Sequence, residues 1–208
     1  PLEDLVGKKT AQKEIRPFPE KETLKLPRIF GDHMVLQADA PIPVWGRAKA
    51  GARVTVAVGD ERQIVTANSR GDWQTRLKAR KTSATPSTMT VESNSGGIQI
   101  KDVLIGEVWI CGGQSNMKWP LEQSAEGANE LASADHPNLR LLHLEGGALG
   151  NSGSYSLQNL SRLTPERFCE GEWKVASAES AHSFLAVGRS FGRRLQQVLK
   201  APVGLICP

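Results

Sequence analysis

Near residue 103 the spacing of apolar and polar positions changes period, and the elements it predicts change with it. Residues 1–23 are polar, charged and proline-bearing, and read as an extended lead-in. From 24 to 103 the period is two. Val54, Val56 and Val58 alternate with Thr55 and Ala57, and Gly59-Asp60 turns that strand into Gln63–Ala67. Asn68-Ser-Arg-Gly71 precedes a strand at Trp73–Leu77, and Ser93-Asn-Ser-Gly-Gly97 separates Met89–Glu92 from Ile98–Lys101. Short strands without a helical period predict an antiparallel β-sandwich domain over 24–103. Arg70-Gly71-Asp72 spells an adhesion-type tripeptide, but a turn before a strand explains it more cheaply.

Beyond residue 103 strands and helices alternate. Val103–Cys111 reads as a buried strand, and Glu122–Ala134 as a helix with Leu121, Ala125, Ala128 and Ala132 on one face. Leu139–Leu144 is a second strand. Residues 145–181 are Gly/Ser-rich and then irregular, the length of a functional insertion. Phe184–Lys200 is a helix whose stripe of Phe184, Val187, Phe191, Leu195 and Val198 predicts the core-facing side. Pro202 ends it, and Val203–Cys207 is a third strand. Strand–helix–strand–helix–strand with apolar strands predicts an α/β half, 104–208, built on a parallel sheet.

Composition narrows the function classes. No apolar stretch approaches the ~20 residues that span a bilayer. The net charge of +4 invites a nucleic-acid reading, but residues 1–103 hold 17 basic against 12 acidic residues and 104–208 hold 9 against 10. The excess is scattered and accompanies no nucleic-acid motif, so a solvated surface is the better reading. Cys111, Cys169 and Cys207 lack the spacing of a zinc site. Cys111 and Cys207 both close apolar runs and read as buried free thiols.

The chemistry concentrates at Gly106-Glu-Val-Trp-Ile-Cys-Gly-Gly-Gln-Ser-Asn-Met-Lys-Trp-Pro120. An apolar strand stops at Gly112 and Gly113, and Ser115 follows between two amides, Gln114 and Asn116. Paired glycines permit a sharp turn, and a helix starting there would aim free N–H groups at whatever lies beside the serine. That suits a serine nucleophile with an oxyanion site formed by Gly113, Gln114 and Asn116, while a plain polar turn is the competing reading. The α/β-hydrolase elbow Gly-x-Ser-x-Gly is not matched, since Met117 stands at its second glycine.

The block Glu107–Met117 resembles the first block of the sialate O-acetylesterase family, a branch of the SGNH hydrolases. Arg28-Ile-Phe-Gly-Asp-His-Met-Val-Leu-Gln37, Pro43-Val-Trp-Gly46 and Gly71-Asp-Trp73 resemble its amino-terminal region. Val187–Leu195 and Pro202–Ile206 resemble the helix and strand that follow. The resemblance implies a flavodoxin-like SGNH domain, removal of O-acetyl groups from sialic acid or related glycans, no cofactor, and a secreted or periplasmic setting. It also implies a base from an Asp-x-x-His block, and none of the 208 residues form one. The chain therefore reads as the sandwich plus an incomplete hydrolase half, with an exposed sheet edge open to an oligomeric partner.

Four histidines could serve as the base. His33 lies in the β half, His136 precedes Pro137 in a loop, and His182 is expected at the start of the last helix. His143, near the end of the second strand and two residues before Glu145, shares the rim of Ser115, although backbone-satisfied histidines there are commoner. Trp119 could stack on a sugar, and Lys118 bears on substrate charge. Gly188 is expected to weaken its helix. The alternative function is a non-catalytic glycan- or protein-binding β-sandwich carrying a remnant hydrolase scaffold.

Overall fold

The structure, a computed structural model, describes residues 24–146 and 169–208. The predicted lead-in and most of the Gly/Ser-rich segment lie outside them. The strands are β1 (Val35–Gln37), β2 (Ile42–Arg47), β3 (Arg53–Val58), β4 (Glu61–Thr66), β5 (Asp72–Leu77), β6 (Ser83–Ser93), β7 (Gly96–Ile110), β8 (His136–His143), β9 (Glu145–Gly146), β10 (Cys169–Glu170), β11 (Trp173–Ala176) and β12 (Val203–Cys207). The helices are α1 (Gly127–Ala132), α2 (Ala178–His182) and α3 (Ala186–Leu199).

One large mixed sheet dominates, in the order β11-β8-β12-β7-β6-β3-β4, with β1 parallel to β7 at its middle. Its β3–β4 and β3–β6–β7 pairings are antiparallel. The β2–β5 ribbon is also antiparallel and shares a core with this part: Val44 and Trp73 from the ribbon cluster with Val54, Val56, Met89 and Val91. At the other end β12 runs parallel to both β7 and β8, around a second cluster of Leu139, Leu141, Phe184, Val203 and Leu205.

A single 15-residue strand, β7, serves both halves. Its first part pairs with β6, its middle with β1, and Glu107–Ile110 pairs with β12. The position where the sequence changes period thus lies inside a continuous strand. Asp102 marks it with a left-handed φ of 54°, beside an irregularity in the β6–β7 ladder.

The sheet departs from the flavodoxin order. In that order the first of three parallel strands lies between the second and the third. Here β12, the last of the three, lies between β7 and β8. All five β12 residues are buried, so the apolar strand expected at an edge is interior. Among the described residues an open edge lies at the end of β7, where Val108 N–H is met by the Gln37 side chain at 3.0 Å and Ile110 is 72% exposed.

Two helical expectations need correction. Glu122–Ala134 is not one helix: a 3₁₀ turn at Leu121–Gln123 is closed by the Ser124 hydroxyl on Leu121 O (2.8 Å), and α1 begins only at Gly127. A side chain at Gly127 would overlap the Leu121 carbonyl, so the glycine permits that turn to fold back. The expected stripe is split: Phe184 is buried and Leu195 packs against the second core, while Val187, Phe191 and Val198 are exposed. Gly188, Arg189 and Gly192 are buried. A Cβ at Gly188 would overlap Leu185 and stand 3.2 Å from Cys111 Sγ, and one at Gly192 would lie 2.6 Å from Leu205. Two missing side chains let the helix backbone settle on the sheet, and Gly188 is there for that approach. Gly188→Val is expected to destabilise the fold by about 1–3 kcal/mol through overpacking, whereas Val187→Ser should stay within about 0.5 kcal/mol. Urea denaturation of the two variants measures the contrast.

The halves are also clamped by charge. Arg140, only 3% exposed, points two N–H groups at Asp102, with Nη1 to Oδ2 at 2.6 Å and Nη2 to Oδ1 at 3.1 Å. Its Nε donates to Pro137 O and its Nη1 also reaches His33 O. His33 Nδ1 is 2.6 Å from the same carboxylate. Burial alone would raise the Asp102 carboxyl, but the bonds from Arg140 and His33 outweigh it and hold it below the ordinary range. A carboxyl lowered in the folded state stabilises above its unfolded value, about 3.9, and that contribution is lost as pH falls through the folded value. Asp102→Ala strands the buried guanidinium and should cost about 3–5 kcal/mol. Denaturant titrations from pH 7 to pH 3 should show that acid-side loss in the wild type and a shallower one in Asp102→Asn.

Candidate active site

Three parallel strands end on one rim. The β12 register pairs Ile206 with Ile110 and Cys207 with His143, and Cys111 N–H donates to Ile206 O at 2.7 Å. The chain leaves β7 through Cys111, Gly112 and Gly113 and enters a four-residue 3₁₀ turn, Ser115–Lys118, with Gln114 at its N-cap. Met117 N–H closes it on Gln114 O at 2.6 Å. Ser115 thus lies just past the carboxyl end of a parallel strand, where open α/β sheets hold their ligands.

The turn is shorter than the expected helix. A 3₁₀ turn still leaves the N–H groups of its first residues without intrahelical acceptors, so the local donor set survives while the dipole of a long helix does not. Gly112, Gly113, Gln114 and Asn116 are all exposed. A Cβ at Gly113 would stand 2.5 Å from Met117 Cγ, which is why the turn folds so closely on itself. Backbone bonds then anchor the segment to α3: Leu121 N–H to Phe184 O at 2.9 Å and Ala186 N–H to Trp119 O at 2.9 Å. Trp119 is half-exposed, with its Nε1 donating to Gln123 O at 2.9 Å, so the indole is held beside the serine turn.

The structure distributes the four histidines differently from expectation. His136 is the first residue of β8 rather than a loop residue, and burial together with Arg189 and Arg193 keeps it below its ordinary pKa. His182 ends α2 instead of starting the last helix and lies 3.1 Å from Glu122. His33 belongs to the clamp. His143 reaches the rim, exposed, with its ring 6.2 Å from Phe184. It lines a cleft of about 450 Å³ with Arg28, Glu170, Lys174 and Ser183, and neither Gln114 nor Asn116 forms part of that wall. His143 and the Ser115 turn thus follow the ends of adjoining parallel strands on one edge of the sheet. Among the described residues no cluster of His, Cys, Asp and Glu could hold a metal ion.

Sequence reasoning missed the ionic cluster beneath α3. Arg189, fully buried, and Arg193 both bind Glu130 of α1, Arg193 at 2.8 Å. Burial would raise the Glu130 carboxyl, but the two guanidiniums outweigh it and lower it. The signal was there in Arg189 and Arg193 at i, i+4 on one helix face, but nothing local named Glu130 as partner.

In architecture the chain is similar to a carbohydrate acetylesterase from Xanthomonas citri, on which it superposes with a TM-score of 0.77 and 34% identity, over 89% of this chain and 40% of that one. In sequence it is similar to sialate O-acetylesterases, 31% identical to that of Homo sapiens over 195 residues, 30% to that of Pongo abelii and 28% to that of Rattus norvegicus. The chain spans about a third of the length of these curated relatives. No family model matches. The resemblance found in three separated blocks therefore extends along most of the chain.

All three thiols are buried and unpaired. Burial pushes Cys111 up, and burial plus the neighbouring Cys111 pushes Cys207 up, so neither is a ready nucleophile. Labelling with a disulfide reagent at pH 8 should be at least about tenfold slower in the native protein than in denaturant. Rapid native labelling of Cys111 would show that the rim is open at the strand end.

Proposed function

We propose that the chain carries the nucleophile-bearing part of a carbohydrate O-acetylesterase, with Ser115 as the attacking alcohol. The observation that carries this is the position of Gly113–Asn116 directly past β7 on the common rim, in a chain similar to acetylesterases of carbohydrates and sialates. Ser115 Oγ attacks the acetyl carbonyl carbon while a base takes its proton. The sugar–oxygen bond to that carbon then breaks, and the sugar hydroxyl departs with the proton. Water hydrolyses the acetyl-enzyme to acetate and free serine. The Ser115 N–H and the amides of Gln114 and Asn116 are the donors for the oxyanion, with Gly113 giving the carbonyl room.

The substrate class is an O-acetylated sialic acid or a related acetylated glycan, and the reaction asks for no metal or organic cofactor. The base is assigned to an Asp-x-x-His segment outside these 208 residues, because the chain contains none. The reading further takes the β half as a sandwich-type support and the rest as part of an SGNH-type sheet. Trp109, Ile110 and Phe191 form an uncovered apolar patch at the open edge, with Trp109 and Phe191 rings 5.2 Å apart edge to face, as a surface awaiting further polypeptide or a second subunit would.

Ser115→Ala should lower turnover of p-nitrophenyl acetate at least about a thousandfold in the polypeptide expressed from its complete reading frame. Equal rates for the two proteins would remove Ser115 from the mechanism. Loss of turnover in His143→Ala with activity retained in Ser115→Ala would relocate the site to the His143 cleft.

A further inference from the structure

The β2–β5 ribbon carries on its outer face a feature that the esterase reading does not use. Alternation puts Val44 and Trp73 inward and leaves Trp45 outward, 40% exposed, directly opposite Gln74. Two positions along, on the same face, Arg47 faces Asp72 and pairs with it at 3.3 Å. Together with Asn68 these side chains border a cleft of about 340 Å³, within the size range of small-ligand pockets.

Each component suits one kind of ligand. The Trp45 ring is fixed edge to face by Phe30, centroids 4.9 Å apart, so it is a rigid platform with its outer side available. The electron-rich face of an indole attracts the weakly positive axial C–H groups of a pyranose ring. Around it stand planar polar groups whose paired donors and acceptors match vicinal hydroxyls: the Arg47 guanidinium, the Asp72 carboxylate and the Gln74 amide. Asn68 has its oxygen engaged by the N–H groups of Arg70 and Asp72, at 2.8 and 3.0 Å, which orients its amide nitrogen as a donor. Trp73 lines the cleft from below at 4% exposed, its side chain turned to the core side of the ribbon. Gly46 lets the Lys25 carbonyl and the Trp73 ring close against the ribbon, since a Cβ there would overlap both.

We propose that this cleft is a glycan-binding subsite that holds one pyranose unit of a carbohydrate chain on Trp45, away from the Ser115 rim. It gives the β half a task of its own, that of keeping the protein on a polymer while acetyl groups are removed elsewhere. The site needs no ester, so its test is independent of Ser115. Isothermal titration of the protein with non-acetylated xylohexaose, and separately with the methyl glycoside of N-acetylneuraminic acid, reads binding alone. Binding of either sugar at about millimolar affinity is expected, and which one binds selects a neutral or an acidic pyranose. Trp45→Ala should weaken it about tenfold or more, Gln74→Ala severalfold, and Ile64→Ser, exposed on β4 outside the cleft, should leave it unchanged. Failure of both sugars to bind, or equal binding by wild type and Trp45→Ala, overturns the proposal. Because Trp45 is a surface residue, near-ultraviolet circular dichroism of the variant should match the wild type, and a changed spectrum with lost binding is resolved by Trp45→Phe, which must restore part of the affinity.

Discussion

The ion pair between Asp102 and Arg140 is the contact on which the arrangement of this molecule rests. Asp102 comes from the strand that both halves share, and Arg140 from the α/β half. An arginine that is 3% exposed tolerates burial only when its donors are used, and here carboxylate, His33 carbonyl and Pro137 carbonyl use them. Such a pair contributes less to net stability than to specificity. Other packings of the two halves would leave a guanidinium buried without its carboxylate, and that cost excludes them.

Small residues do the corresponding work on the other side of the sheet. Gly188 and Gly192 bring α3 down onto Cys111 and Leu205, and Gly106 brings β7 against Pro202. The serine turn is tied to Phe184 and Ala186 by backbone bonds, so its placement follows from how closely α3 can approach. The rim is thus set by absent side chains as much as by present ones. Burial of the two rim cysteines is a by-product of the same close approach.

Much of this was legible in the sequence. Period-two alternation located β3, β5 and β6 to within a few residues at most of their ends, and Val203–Cys207 was read with the bounds the structure has. Arg70-Gly71-Asp72 proved to be a turn organised by the Asn68 side chain, as the cheaper reading had it. What escaped was long-range. A stripe of Val187, Phe191 and Val198 has the spacing of a buried face, yet periodicity cannot reveal that two glycines on the opposite side allow a tighter contact. Strand order also lies beyond local pattern, because β12 between β7 and β8 is decided by packing of the connections. Of the site, the motif and its place at a strand end were readable, and the partner of a buried Arg189 was not.

The shared strand has a consequence for assembly errors. Side chains alternate faces along β7, so a slip of one residue against β6 would exchange every inward and outward position from Ile98 to Ile110. It would also carry the loop beyond Cys111 along the sheet by about 3.3 Å, more than a hydrogen bond's length. Asp102, locked in its left-handed kink and gripped from the neighbouring half, acts as a stop that lets only one alignment seat. The accuracy with which the Ser115 turn is placed is therefore established some thirteen residues upstream of it.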